Sequence, residues 1–140
     1  MPLKVESDVV VVHRMANPES FKVGDLLAYR LDRTISSGVT VGGGFGIDEV
    51  IARPGDHVRI TPSCVLVNGA PQWRRPHMPR EAEFTLGQNR WFLWPRLDIT
   101  HQNVAEASLA AAWLQTGMID ETQIVGRPFR HWFGRPQVVP

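Results

Sequence analysis

Few side chains in this sequence can do chemistry, and their spacing excludes most of the usual kinds. The single cysteine, Cys64, can form no internal disulfide and stands in an apolar run that suits buried packing. Five histidines, His13, His57, His77, His101 and His131, are scattered. No two of them have the i, i+4 spacing at which a helix presents a pair of imidazoles to zinc. Ser36 to Gly46 is rich in glycine but lacks the Gly-Lys-Ser/Thr ending of a phosphate loop. It reads instead as a flexible loop or a strained approach to a neighbouring strand. Arg74, Arg75 and Arg80 fall in a proline-rich loop, where they read as solvated side chains or, alternatively, as a contact for an anionic or lipid surface. No cofactor and no metal site is expected from these residues.

The bulk properties narrow the field further. A chain of 140 residues suits one domain, and 43% hydrophobic against 21% charged residues suffices for a buried core. The formal net charge of +1 lacks the concentrated basic surface that nucleic acid requires, so nucleic acid is not expected as a partner. No apolar run reaches the roughly 18 residues of a membrane span. No signal peptide precedes the first strand, and the chain as given is expected to be soluble. A strand-like run begins within a few residues of Met1, as it would in a chain trimmed of an upstream segment.

Short strands between turns dominate what remains. Candidates are Val9 to Val12, Leu26 to Arg30, Glu49 to Ala52, His57 to Ile60, Val65 to Val67, Glu83 to Leu86, Trp91 to Leu93, Gln123 to Val125 and Phe129 to Trp132, each bounded by Gly, Pro, Asn or Asp. Arg53-Pro54-Gly55-Asp56 has the chemistry of a type II turn. Asn68-Gly69 has that of a tight hairpin, since both residues tolerate positive φ. One helix is expected, Asn103 to Gly117. Asn103 serves as N-cap with Glu106 three residues on, Ala105, Leu109, Ala112 and Trp113 share one face, and Gly117 stands just past the end. Its apolar face is expected to pack on the sheet, with partner binding as the alternative.

Four segments, in order, carry a resemblance. They are Val23-Gly24-Asp25-Leu26-Leu27-Ala28-Tyr29, then Val50-Ile51-Ala52-Arg53-Pro54-Gly55-Asp56-His57-Val58 followed by Val65-Leu66-Val67-Asn68-Gly69-Ala70-Pro71, then Phe84-Thr85-Leu86-Gly87-Gln88-Asn89-Arg90, and Ile124-Val125-Gly126-Arg127-Pro128-Phe129. Together they resemble the type I signal peptidases, from about Val9 to the end of the chain. The glycine-rich stretch before Ile47 resembles the related maturation peptidases of conjugative transfer. The resemblance implies a mainly β fold: a signal-peptidase-like antiparallel β domain over residues 1–140 with one inserted helix at about 100–117.

The resemblance also implies a chemistry. In that family a serine attacks the peptide carbonyl, and a lysine kept neutral by desolvation takes its proton. The substrate, an extended peptide or preprotein segment, lies beside a strand with small side chains in shallow pockets. An upstream anchor would place such a domain on the extracytoplasmic side of a membrane, whose surface is a possible further partner.

Several positions depart from that pattern. The place of the lysine holds Asp48, and Glu49 follows where the family has arginine. The only lysines, Lys4 and Lys22, stand elsewhere. In one register the nucleophile would precede Met1, and in the conjugative register it falls near Ser7, with Val9 where a proline is expected. Gln88 replaces the aspartate of the "GDNR" segment. Three readings follow: a peptidase-like domain without its catalytic pair that keeps a peptide groove; an active divergent peptidase using Ser7 or an upstream serine; and a non-catalytic β interaction module. In the last, Trp91-Phe92-Leu93-Trp94 and His131-Trp132-Phe133 would form a contact patch, against core packing or membrane-surface anchoring as alternatives.

Overall fold

The computed structural model describes residues 2–5, 8–14, 18–31, 34–36, 39–41, 44–96, 106–132 and 135–136. The turns identified in the sequence organise its middle. Strands β7 (His57–Ile60), β8 (Val65–Val67) and β9 (Ala70–Gln72) form an antiparallel meander, and β10 (Ala82–Thr85) adds to the outer side of β7. At Asn68-Gly69 both residues take positive φ, 51° and 85°, and Val67 pairs with Ala70 across the turn. That is the geometry whose twist matches the strands it joins. The Asn68 side chain also braces the turn before it. Its Oδ1 accepts from the His57 amide (2.9 Å), and its Nδ2 donates to Asp56 Oδ1 (3.0 Å). Gly55, at φ 86°, closes the expected turn at Arg53–Asp56, where the Asp56 amide donates to the Arg53 carbonyl (3.0 Å).

The larger sheet collects the chain ends around two central strands. Its order is β1 (Pro2–Val5), β2 (Asp8–Arg14), β13 (Ile124–Trp132), β3 (Leu26–Leu31), β6 (Gly44–Ala52), β11 (Arg90–Leu93) and β12 (Met118–Asp120), with β14 (Arg135–Pro136) paired to β13. All its pairings are antiparallel. The fold is therefore mainly β, with one α-helix among the described residues, as the sequence indicates. Several elements differ from expectation. The described part of the glycine-rich stretch is strand, not flexible loop: it contributes to the pair β4 (Thr34–Ser36) and β5 (Val39–Val41) and to the start of β6, where Gly46 makes the expected close approach to a neighbouring strand. The two strands expected at Gln123 to Val125 and Phe129 to Trp132 are one strand, β13. Its Pro128 has no amide to give the ladder, and the register with β2 shifts after it.

Strand alternation divides the core. Phe92 and Ile51 face one side of the large sheet, where they meet Val58 and Val65 of the smaller sheet and Leu86 just after β10. Trp91, Leu93 and Val50 face the other, with Phe21, Leu27, Tyr29 and Ile119. The helix α1 (Glu106–Gly117) closes the first side, as expected: Trp113 stacks parallel on Trp94 at 5.9 Å between ring centroids. Their indole N–H groups are satisfied by the carbonyls of Pro95 (2.6 Å) and Pro76 (2.8 Å). The proposed cap Asn103 and the face residue Ala105 lie outside the described residues. Gly117 is not a residue past the helix end in positive φ. It belongs to the last turn and leads directly into β12, and a Cβ there would run into the Leu93 carbonyl oxygen. Close approach, not handedness, requires glycine. No helix among the described residues is long and apolar enough to cross a membrane.

Candidate functional site

The position that the resemblance assigns to a catalytic base lies on β6, and the register there builds a small polar site. Tyr29 on β3 stands opposite Gly46, and Leu27 opposite Asp48. The Tyr29 ring therefore lies over Gly46, where an added Cβ would come 2.7 Å from both Cζ and Oη. The space left by glycine lets the ring lean along the strand to Asp48, and the phenol donates to Asp48 Oδ2 at 2.6 Å. Tyr29 is fully buried. Burial first, and then the Asp48 carboxylate, push its pKa far above the ordinary tyrosine value, so the phenol stays a donor. Arg96 reaches the same carboxylate from the other side, with Nε 3.6 Å from Asp48 Oδ1. The Asp48 side chain is 11% exposed and that of Arg96 70%.

This half of β6 is paired on one side only among the described strands. The Val50 amide donates to the Asp25 carbonyl and the Val50 carbonyl accepts from Gly24, which directs the groups of Val50 towards β3. Alternation sends those of Asp48 and Gly46 the same way, and those of Phe45, Ile47 and Glu49 outward. On that outer side β11 pairs only at Val50 and Ala52. The outward carbonyl of Ile47 accepts from Arg96 Nη2 at 3.5 Å. At the far edge of the large sheet, β1 comes back close to β6 without pairing to it.

Glu49 points to the opposite face. Its Oε1 is 3.8 Å from Nη2 of Arg75, a guanidinium only 8% exposed that stacks on the Trp73 ring at 4.2 Å. Desolvation lowers the Arg75 pKa, and Glu49 offsets part of that. Arg75 is therefore not a solvated loop residue. Neither is Arg74, whose guanidinium donates to the carbonyls of Thr61, Met78 and Pro79 and so holds the loop together. Of the three arginines, Arg80 alone is exposed.

Ser7 lies outside the described residues, so the structure brings only Asp48 of the two sequence candidates into view. Lys22 is exposed in the turn before β3. Gln88 sits in the β10–β11 turn, closed by the Arg90 amide on the Gly87 carbonyl (3.2 Å). Cys64 is half-buried beside Thr61 rather than in the core. Trp91 to Trp94 are all buried, so they are core and not a contact patch; the side chains of His131, Trp132 and Phe133 lie outside the described part. His57 bridges β10 on the exposed face of the smaller sheet, with Nε2 2.7 Å from Glu83 and Nδ1 3.0 Å from Thr85. Among the described residues no group of three His, Cys, Asp or Glu could hold a metal ion.

Tyr29 and Arg96 are the site residues that the sequence did not reveal. Tyr29 is the only tyrosine of the chain, and a buried tyrosine needs a partner for its hydroxyl. That signal was present, but the partner depends on the β3–β6 register. No model of a known protein family and no curated protein matches the chain.

Proposed function

We propose that this chain is a signal-peptidase-like β domain without the serine–lysine chemistry, which holds an extended peptide beside the outer edge of β6. One observation carries the reading: at the place of the family's lysine stands a carboxylate that accepts a hydrogen bond from a buried phenol and faces a guanidinium. A neutral amine accepts a proton near neutral pH. Aspartic acid, with an ordinary pKa of about 3.9, is far too strong an acid for its carboxylate to draw a proton from a serine hydroxyl. The outward groups of Phe45, Ile47 and Glu49 offer main-chain hydrogen bonds of the kind used in strand addition. An anchor upstream would put this edge on the extracytoplasmic side of a membrane.

The test is an assay of an extended peptide with alanines at alternate positions against the chain, Ser7→Ala and Asp48→Lys. The expected result is binding without cleavage by the unmodified chain. Cleavage by the unmodified chain that disappears in Ser7→Ala overturns the reading and makes Ser7 the nucleophile of an active peptidase. Cleavage only in Asp48→Lys shows that the base alone was lost. Absence of binding overturns the groove and leaves an interaction module of another kind.

A further inference from the structure

We infer that the smaller sheet carries a hydrolytic arrangement of its own towards small activated esters, in which Thr85 is the nucleophile, His57 its base and Glu83 the group that positions the imidazole. It goes beyond the peptide reading and depends on neither Asp48 nor the β6 edge.

Strand register builds the arrangement. Thr85 on β10 stands directly opposite His57 on β7, and Glu83 lies two residues back on the same face of β10. The Asn68 amide donates to the His57 carbonyl, and the His57 amide donates to Asn68 Oδ1, so the main-chain groups of His57 turn towards β8. Alternation turns those of Val58 and Ile60 towards β10, where they meet Phe84 and Ala82. Thr85 and His57 are therefore a non-hydrogen-bonded pair, the kind whose side chains come closest. The imidazole spans both partners: Nδ1 is 3.0 Å from Thr85 Oγ1, and Nε2 is 2.7 Å from Glu83 Oε2.

Charge fixes where the protons stand. A carboxylate only accepts, so Nε2 carries the proton and donates it to Glu83. The neutral ring then keeps its lone pair on Nδ1, and the Thr85 hydroxyl donates to it. A hydroxyl, a base and an orienting carboxylate in that order are the parts of nucleophilic acyl transfer. The main chain adds one more. Phe84 turns its groups to β7, so the Thr85 amide points to the outer side of β10, the end strand of this sheet. There it donates to the oxyanion that forms beside its own hydroxyl. Next to Glu83 lies a cavity of about 270 Å³, lined also by Arg59, Ile60, Thr61, Glu81 and Ala82. A cavity of about 150 Å³ already holds a benzene ring, so an aryl ester has room.

The steps balance with water as the second reactant. Thr85 Oγ1 bonds to the ester carbonyl carbon while its proton moves to Nδ1. The bond to the aryl oxygen breaks, and the departing phenolate takes that proton. Water then attacks the acyl carbon and gives a proton to Nδ1, which returns it to Thr85 Oγ1 as the acid leaves. The His57 and Glu83 side chains are 48% and 58% exposed, so water reaches the acyl group.

The experiment follows p-nitrophenyl acetate hydrolysis by the chain, Thr85→Val, Thr85→Ser, His57→Gln and Glu83→Gln, with circular dichroism of each. Acid-quenched samples are mapped by mass spectrometry for acetyl groups. The chain should exceed Thr85→Val and His57→Gln by about tenfold, short of the roughly hundredfold or more of a positioned base, since this one is open to water. Thr85→Ser should restore turnover, and the acetyl group should sit on residue 85. Glu83→Gln acts through His57 and should lower kcat with KM unchanged. Turnover by the chain no faster than buffer overturns the inference. So does equal turnover in Thr85→Val, which makes the imidazole itself the nucleophile, or an acetyl group found only elsewhere. A folded Thr85→Ser without turnover overturns it too, and an unaltered kcat in Glu83→Gln removes Glu83 from the arrangement.

Discussion

Gly69, in a turn, and Gly46, inside β6, are glycine for opposite reasons. Gly69 has φ 85° and nothing within 4 Å of where a Cβ would stand. Gly46 has ordinary strand φ, and the Tyr29 ring fills the place of its Cβ. The first serves a turn that its neighbours Val67 to Ala70 define alone. The second serves a partner 17 positions away in sequence, across the β3–β6 ladder. The meander around Gly69 is thus local in origin, whereas the Tyr29–Asp48 site exists only once the large sheet has formed.

The sharpest way to break this contrast is Gly46→Val. It should cost about 3 kcal/mol, the upper end of overpacking a buried site, because the ring cannot withdraw without leaving Asp48. In a Tyr29→Leu background the same change should cost much less, and thermal melts of the four proteins measure that coupling. If the coupling is absent, the close approach is wrong. Tyr29→Phe removes only the hydroxyl and should cost about 2 kcal/mol by denaturant titration, the value of a hydrogen bond to a charged group. Gly69→Val should cost on the order of 1 kcal/mol or more, through strain at positive φ, and should show no coupling to Tyr29. An unchanged melting temperature would refute the turn. Arg96→Ala should change stability by no more than about 0.5 kcal/mol, since its contacts are exposed and long; a larger loss would make Arg96 a structural brace of the β6 edge.

Legibility followed the same division. The turn at Asn68-Gly69 and the strands His57–Ile60 and Val65–Val67 matched the reading of the sequence, because turn chemistry and period-two alternation are written in adjacent residues. Of the two readings of the glycine-rich stretch, flexible loop and close approach to a neighbouring strand, Gly46 agrees with the second: it is a strand residue making room for the Tyr29 ring of β3. Gly117 did mislead: its neighbour is the carbonyl of Leu93, 24 positions earlier. Asp48 was found by position and its partners were not, since Tyr29 and Arg96 reach it only through strand register and the path of the chain beyond β11. Arg74 and Arg75 looked like loop charges because their carbonyl, aromatic and carboxylate partners come from a folded loop and a second sheet.

The single tyrosine gives this site an optical signature. Tyrosinate absorbs near 295 nm, so any ionisation seen there belongs to Tyr29. The phenol ionises at about pH 10 in an unfolded chain, and far above that in the folded one. Its contribution to stability is therefore whole below about pH 10 and is lost as pH rises beyond it, because the unfolded state then releases a proton that the folded state keeps. In a rising alkaline titration the 295 nm band should stay silent past pH 10 and then appear in one cooperative step together with loss of the β-sheet dichroism. The colour change thus reports global opening of the large sheet, measured at the same residue that holds Asp48 in place.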